Sequence, residues 1–205
     1  MKLLVASNNA KKRAELEALL ADLDVEVVTP NELGGVPDVD EDQPTFAGNA
    51  AKKAVSGAQA TGLWTLADDS GLEVAVLDGA PGVHSARYAG THGDDAANNR
   101  KLLDALAGRP AEERSARFVC ALALAAPDGA VVAELFGETH GRILESPRGS
   151  GGFGYDPLFL FTEPGHAATD RCFAELEGPE KAAVSHRGRA LSALAERLPS
   201  LLVNR

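Results

Sequence analysis

The sequence predicts an α/β domain built on a mixed β-sheet, and three observations carry that prediction. Strand-like apolar runs and helical patterns alternate through the first third of the chain. Two long apolar stretches, 116–126 and 130–137, flank Pro127-Asp128-Gly129, a hairpin signal. A leucine pattern at helical spacing closes the chain. Alternation favours parallel pairing and a hairpin is antiparallel, so the sheet is expected to be mixed.

Residues 2–6 (KLLVA) are a short apolar run ending in Ser7-Asn8-Asn9, which predicts a strand and a turn. Leu16, Leu19, Leu20 and Leu23 follow the i, i+3, i+4, i+7 rule of a helix. A second strand is expected over 25–28 and an irregular acidic loop over 32–43. Phe46, Ala50 and Ala54 place a second helix over about 45–61. Residues 64–67 are strand-like and run straight into Asp68-Asp69-Ser70-Gly71. The strand pattern resumes over 72–77, before a Gly/Pro-rich loop at 78–83. A helix centred on Leu102, Leu103 and Leu106 ends near Gly108-Arg109-Pro110. A further strand is expected over 157–161. The last helix starts near Ser185 and carries Leu191, Leu194, Leu198 and Leu201. No repeat, low-complexity tract or linker interrupts the chain, so its 205 residues are expected to form one domain, 1–205.

Composition narrows the function. A net charge of −10 argues against a non-specific nucleic-acid binder. It leaves room for a small anionic ligand, because over a screening length of about 8 Å local cations outweigh distant carboxylates. No apolar run approaches the length of a membrane span. The start, MKLLVASNNAKK, turns polar at Ser7, too early for a secretory leader, so a cytoplasmic protein is expected. Cys120 and Cys172 have no CxxC and predict two reduced thiols rather than a disulfide or zinc framework. His84, His92, His140 and His166 lack ligand spacing and are assigned no role.

Residues 149–154 (GSGGFG) match the dinucleotide fingerprint G-x-G-x-x-G letter for letter. That fingerprint needs a strand before it and a helix after it. Here Tyr155-Asp156-Pro157 follows, a poor helix start, and the glycines come late in the chain. Glu175 falls where a ribose-binding acid would sit, a weak coincidence in a charged sequence. A glycine-permitted turn is the better reading.

Chemistry gathers in three other places. Lys11, Lys12 and Arg13 crowd the first turn of a helix, where the macrodipole disfavours cations unless an anion such as phosphate binds there. Asp68 and Asp69 follow a buried strand, where carboxylates need solvent, hydrogen bonds or a cation. At a strand's carboxyl end, one would hold Mg²⁺ while the other orients or deprotonates water. A plain Asp/Ser/Gly turn fits the same letters. Glu41 in the acidic loop offers a third carboxylate. Ser185 is a candidate N-cap ahead of His186 and Arg187, and Lys181 lies just upstream.

Read in order, six motifs carry a resemblance. They are Ser7-Asn8-Asn9-Ala10-Lys11-Lys12; Thr45-Phe46 with Asn49-Ala50 and Lys53-Ala54; and Ala67-Asp68-Asp69-Ser70-Gly71-Leu72. The others are residues 80–88 (APGVHSARY), Gly151-Gly152-Phe153-Gly154-Tyr155-Asp156-Pro157, and Ser185-His186-Arg187-Gly188. Together they make the chain similar to the inosine triphosphate pyrophosphatase family, also called Ham1-like, from Leu3 to the final helix. The resemblance implies hydrolysis of inosine, deoxyinosine and xanthosine triphosphates (ITP, dITP, XTP) to the monophosphate and pyrophosphate, with Mg²⁺. It also implies an elongated central mixed sheet flanked by helices, two lobes around a substrate cleft, and a homodimer. By position, Ser7, Asn8, Asn9, Ala10, Lys11, Lys12 and Lys53 would hold the triphosphate. Asp69 would be metal ligand and general base, Asp68 and Glu41 would support the metal, and Ser70 would touch substrate. Phe153, Gly154, Tyr155, Asp156, Lys181, His186 and Arg187 would form the base pocket.

Arg187 or Lys181 donating to the 6-keto oxygen of inosine would face an amine in ATP and lose that bond, a discrimination of up to roughly 10⁴–10⁵-fold. Two positions depart from the family pattern. Ser7-Asn8-Asn9 stands where members often have Thr-Gly-Asn, and Gly48 stands where glutamate is usual. The second leaves Glu41, Asp68 and Asp69 to hold the cation. Two rivals remain: a Maf-like nucleotide pyrophosphatase, against which Ser-His-Arg-Gly and Gly-Phe-Gly-Tyr-Asp argue, and a nucleotide-binding module without turnover, which the glycine at 48 favours.

Overall fold

The computed structural model describes residues 2–7, 9–21 and 25–203, without the side chains of Lys11, Lys12, Leu19, Pro199, Leu202 and Val203. The chain begins β1 (Lys2–Val5), α1 (Ala10–Leu20), β2 (Glu26–Val28), α2 (Phe46–Thr61) and β3 (Trp64–Val74). It continues with α3 (Asp95–Ala105), β4 (Ser115–Ala125), β5 (Val131–Ile143) and β6 (Phe159–Phe161). It ends with α4 (Gly178–Val184) and α5 (His186–Val203). Leu23 of the expected leucine pattern lies outside the described residues.

Among the described residues the strands form one sheet in the order β2-β1-β3-β4-β5-β6. β1 pairs in parallel with both β2 and β3, placing Leu3 opposite Val27 and Trp64. Parallel neighbours need a crossover, and α1 and α2 supply it. β4 and β5 are joined by the expected hairpin, in which the Ala126 N–H donates to the Ala130 carbonyl at 2.9 Å. β5 and β6 are antiparallel, with Arg142 opposite Leu160. The sheet is mixed, as its sequence predicts.

The chain divides into two compact units. One comprises residues 1–69, 120–137 and 187–205, the other 70–119 and 138–186. Each has its own apolar core. In the first, Leu3, Leu66, Leu122 and Leu124 pack with Leu16 and Leu20 of α1 and Leu191, Leu194 and Leu198 of α5. In the second, Leu72, Leu102, Leu106 and Leu158 surround the rings of Phe118, Phe159, Phe161 and Phe173. The Phe118 and Phe159 rings lie 4.6 Å apart, a tilted contact that adds to burial of about 1.5–3 kcal/mol per side chain.

Four elements differ from their expectations. β3 runs unbroken through Asp68-Asp69-Ser70-Gly71, where the sequence shows separate strand patterns over 64–67 and 72–77 and a turn is one of two readings. β5 continues to Ile143 rather than ending at 137, because Glu138, His140 and Arg142 alternate outward between buried neighbours and hide the strand from an apolar count. β6 starts only at Phe159, after Pro157 is taken into a 3-10 turn. The short α4 goes unanticipated, although Pro179 and Glu180 mark its first turn, where the Glu177 N–H donates to the Glu180 carboxylate at 2.8 Å. Among the described residues no helix is long and apolar enough to cross a membrane.

Candidate active site

In the first unit, α2 is the element that organises the chemistry. Thr45 caps it, its hydroxyl accepting from the Gly48 N–H at 3.1 Å. Asn49 and Lys53 then fall one helical turn apart on a single face. That face meets Asp69 of β3. The Asn49 amide donates to Asp69 Oδ2 at 3.2 Å, and the Lys53 ammonium lies 3.1 Å from Asp69 Oδ1. Lys53 also reaches Glu41 Oε1 at 2.9 Å, so one ammonium ties the acidic loop to the strand. Asn49 reinforces the tie by accepting from the Gln43 N–H at 3.0 Å.

Asp68 and Asp69 are only 2% and 6% exposed, so their charges are tolerable only where donors meet them. Asp68 is met by Arg187, 3.5 Å away, and Arg187 also pairs with Glu15 of α1. Burial works against the Lys53 charge, but Asp69, Asp68 and Glu41 outweigh it and hold the ammonium above its usual range. Burial likewise works against Arg187, and Asp68 and Glu15 more than compensate.

The second unit gathers the other residues. Gly152 has φ +70°, and a Cβ there would stand 2.1 Å from Asp156 Oδ2. Its missing side chain lets that carboxylate fold back to accept from the Phe153 N–H at 2.8 Å and from the Lys181 ammonium at 2.7 Å. Lys181 also lies 4.9 Å from the centroid of the Phe153 ring, a cation–π contact. The Tyr155 hydroxyl donates to the Ser85 carbonyl at 2.9 Å; burial raises its pKa, with Tyr88 and Asp95 adding to the shift, so the phenol stays protonated. His186 is buried and stacks on Phe118, with centroids 4.8 Å apart. The glycine-rich stretch opens no helix, which removes the dinucleotide fingerprint.

Gly152→Ala combines left-handed backbone strain with this clash. It is expected to cost about 2–4 kcal/mol and to lower Tm by roughly 5–15 °C in a thermal melt. A Tm within about two degrees of wild type would show that Asp156 is not held against Gly152.

The model of the Ham1 family matches residues 3–197. The chain belongs to the Ham1 family. Proteins named dITP/XTP pyrophosphatase from Syntrophobacter fumaroxidans and Geobacter sulfurreducens are 52% and 51% identical to it. Those matches cover 98% and 96% of this chain, and 83% and 96% of the relatives. A solved HAM1 protein from Coxiella burnetii has a TM-score of 0.86 at 42% identity, covering 98% of this chain and 99% of that one. The nucleoside-triphosphatase / dITP/XTP pyrophosphatase of Mycobacterium abscessus has a TM-score of 0.75 at 47% identity, covering 97% and 100%.

In this Ham1 chain the expected residues fall into the two clusters just described. Ser7, Asn9 and Ala10 lie between β1 and the start of α1, where the Ser7 hydroxyl accepts from the Asn9 N–H at 3.3 Å. Lys11 and Lys12 are the next two residues of that helix, their side chains outside the description, as is Asn8 entirely. Ser70 follows Asp69 on β3, half-buried. Glu41, Asp68 and Asp69 are held through Lys53 and Arg187 rather than as a cage: among the described residues no three His, Cys, Asp or Glu side chains gather to hold a metal. Arg187 pairs with Glu15 and Asp68, contacts that its expected place in the base pocket does not by itself foretell. Asn49 and Glu15 are contributors that sequence reasoning gave no role; for Asn49 the available signal is its one-turn spacing from Lys53. At Gly48 a Cβ would meet Gln43 Cβ at 2.9 Å, so the acidic loop occupies space that a larger residue there would need.

Proposed function

We propose that this Ham1 chain hydrolyses ITP, dITP and XTP to the monophosphate and pyrophosphate. The observation that carries the reading is the buried Asp68-Asp69 pair, with Lys53 shared between Asp69 and Glu41. The names of relatives at about half identity support it. Water forms a bond to the α-phosphorus, the bond to the α,β-bridging oxygen breaks, and pyrophosphate leaves. Asp69 takes the proton from that water. Lys53, with Lys11, Lys12 and the N–H groups opening α1, neutralises and orients the triphosphate.

The donor set suits magnesium. Asp68 and Asp69 are hard oxygen donors consecutive on β3, Asp69 meeting Lys53 and Asn49 and Asp68 meeting Arg187. Mg²⁺ is typically bound by one or two carboxylates plus substrate phosphates rather than by a protein cage. Bound there, the ion supplies countercharge to the triphosphate and the departing pyrophosphate. Glu41 keeps Lys53 in line with Asp69, and Arg187 with Glu15 fixes Asp68.

For the base, Phe153 offers a stacking face, and Lys181, held by Asp156, donates to the 6-keto oxygen that adenine replaces with an amine. His186 backs this region by its stack on Phe118. Stacking on an aromatic side chain is worth about 1–3 kcal/mol per base, so Phe153→Ala is expected to raise KM for ITP by roughly 10-fold or more, with kcat within about threefold. An unchanged KM would remove Phe153 from the base contact.

A panel of ITP, dITP, XTP, ATP, GTP and dTTP with pyrophosphate detection, with and without chelator, tests the whole reading. The first three should turn over far faster than the rest and stop on metal removal. Orthophosphate release, or equal rates on ATP, would overturn it. The reading also expects a homodimer, to be measured by light scattering, working in the cytoplasm on the nucleotide pool.

A further inference from the structure

Gly154 is held in an unusual way. Its N–H donates to Asp95 Oδ2 at 2.8 Å, and its carbonyl accepts from Asn99 Nδ2 at 2.9 Å. Both main-chain groups of one residue are thus met by side chains of one helix, spaced i and i+4 on the same face of α3. Gly154 has φ +61°, and a Cβ there would touch nothing within 4 Å. Glycine is needed at this position for its backbone conformation and not for lack of room. With no side chain of its own to anchor, Gly154 takes its orientation from α3.

The platform beneath is firm. Asp94 caps α3, accepting from the Ala97 N–H at 2.9 Å. Asn98 accepts from the Ala89 N–H at 2.7 Å, and Leu102 is fully buried. Asp95 sits in the first turn, where the helix dipole favours its charge. Asn99 keeps its Oδ1 buried without a hydrogen-bond partner, a burden on stability that an apolar residue would avoid. Its donation to Gly154 is the evident gain set against that burden.

We propose that Asp95 and Asn99 are specificity-determining positioning residues: by fixing the Gly154 peptide groups they set the directions of Phe153 before it and Tyr155 after it. Neither touches substrate. The inference rests on the reading of residues 153–156 as the loop that contacts a 6-keto purine.

The experiment is the ratio of kcat/KM for ITP over ATP in wild type, Asp95→Ala, Asp95→Asn, Asn99→Ala and Asn99→Asp, each with its Tm. Asp95→Ala, Asn99→Ala and the near-isosteric Asn99→Asp, which puts an acceptor where a donor is needed, should each lower the ratio about tenfold or more, through KM for ITP, with kcat within about threefold. Asp95→Asn retains an oxygen to accept from the Gly154 N–H and should keep the ratio within about threefold. A purely structural role would lower Tm and leave the ratio where it was. Unchanged ratios in Asn99→Ala, Asn99→Asp and Asp95→Ala overturn the inference alone. A wild type that does not prefer ITP overturns the functional reading and the inference together.

Discussion

Asp69→Asn is expected to fold, to bind nucleotide, and to lose about 10²- to 10⁴-fold in kcat, the range that a positioned general base contributes. The substitution is nearly isosteric, and the new amide oxygen still accepts from Lys53 or Asn49, while the new NH2 faces the other of these two donors. Lys53 keeps Glu41 as its counter-charge, so Tm should fall by several degrees without loss of the fold, and KM for ITP should stay within about threefold. What disappears is the capacity to take a proton from the attacking water. The decisive measurement is single-turnover pyrophosphate release at saturating ITP, which separates the chemical step from binding. A kcat near the wild-type value would remove Asp69 as the base. A normal kcat with a large rise in KM would assign it to substrate binding.

Lys53→Met should fail in both stability and rate. The side chain is 15% exposed and joins two carboxylates, at 2.9 and 3.1 Å. Removing one partner of a buried ion pair costs about 3–5 kcal/mol, because the remaining charge is left in a poorly solvated place. For a protein of this size that corresponds to a fall in Tm of roughly 6–20 °C. The raised ammonium pKa gives the contribution a definite pH window. It is fully present below the unfolded lysine value of 10.5 and is lost only as pH rises through the higher folded value. The gap in stability between wild type and variant should accordingly stay flat between about pH 6 and 9. Turnover should drop with it, since the triphosphate loses a cation and Asp69 its orientation. A variant as stable as wild type would mean that the Glu41–Lys53–Asp69 link carries no weight in the fold.

Much of this site is legible in the letters, for local physical reasons. The apolar spacing of Phe46, Ala50 and Ala54 defines α2, and its observed span, Phe46–Thr61, follows it closely. Gly152 and Gly154 read as turn glycines, and both have positive φ. Asp68 and Asp69 stand out as costly in a buried run, but their backbone is misjudged. Asp-Asp-Ser-Gly is turn chemistry when only neighbours in sequence are weighed. The donors that keep it in a strand come from afar: Asn49 is 20 residues away, Lys53 is 16, and Arg187 is 119 residues from Asp68.

Arg187 carries the same lesson. Its neighbours in sequence name no partner for its charge, and its guanidinium lies with Glu15, which is 172 residues distant. Periodicity and caps act within a few residues, so the sequence by itself determined the order and type of most elements, the mixed sheet and the residue types available for chemistry. Only the tertiary structure decided which charge answers which. Asp69 went to Lys53 and Asn49, Asp68 to Arg187, and Gly154 to Asp95 and Asn99. Desolvation makes each buried charge or peptide group take a partner wherever the fold brings one, and no local pattern records that choice.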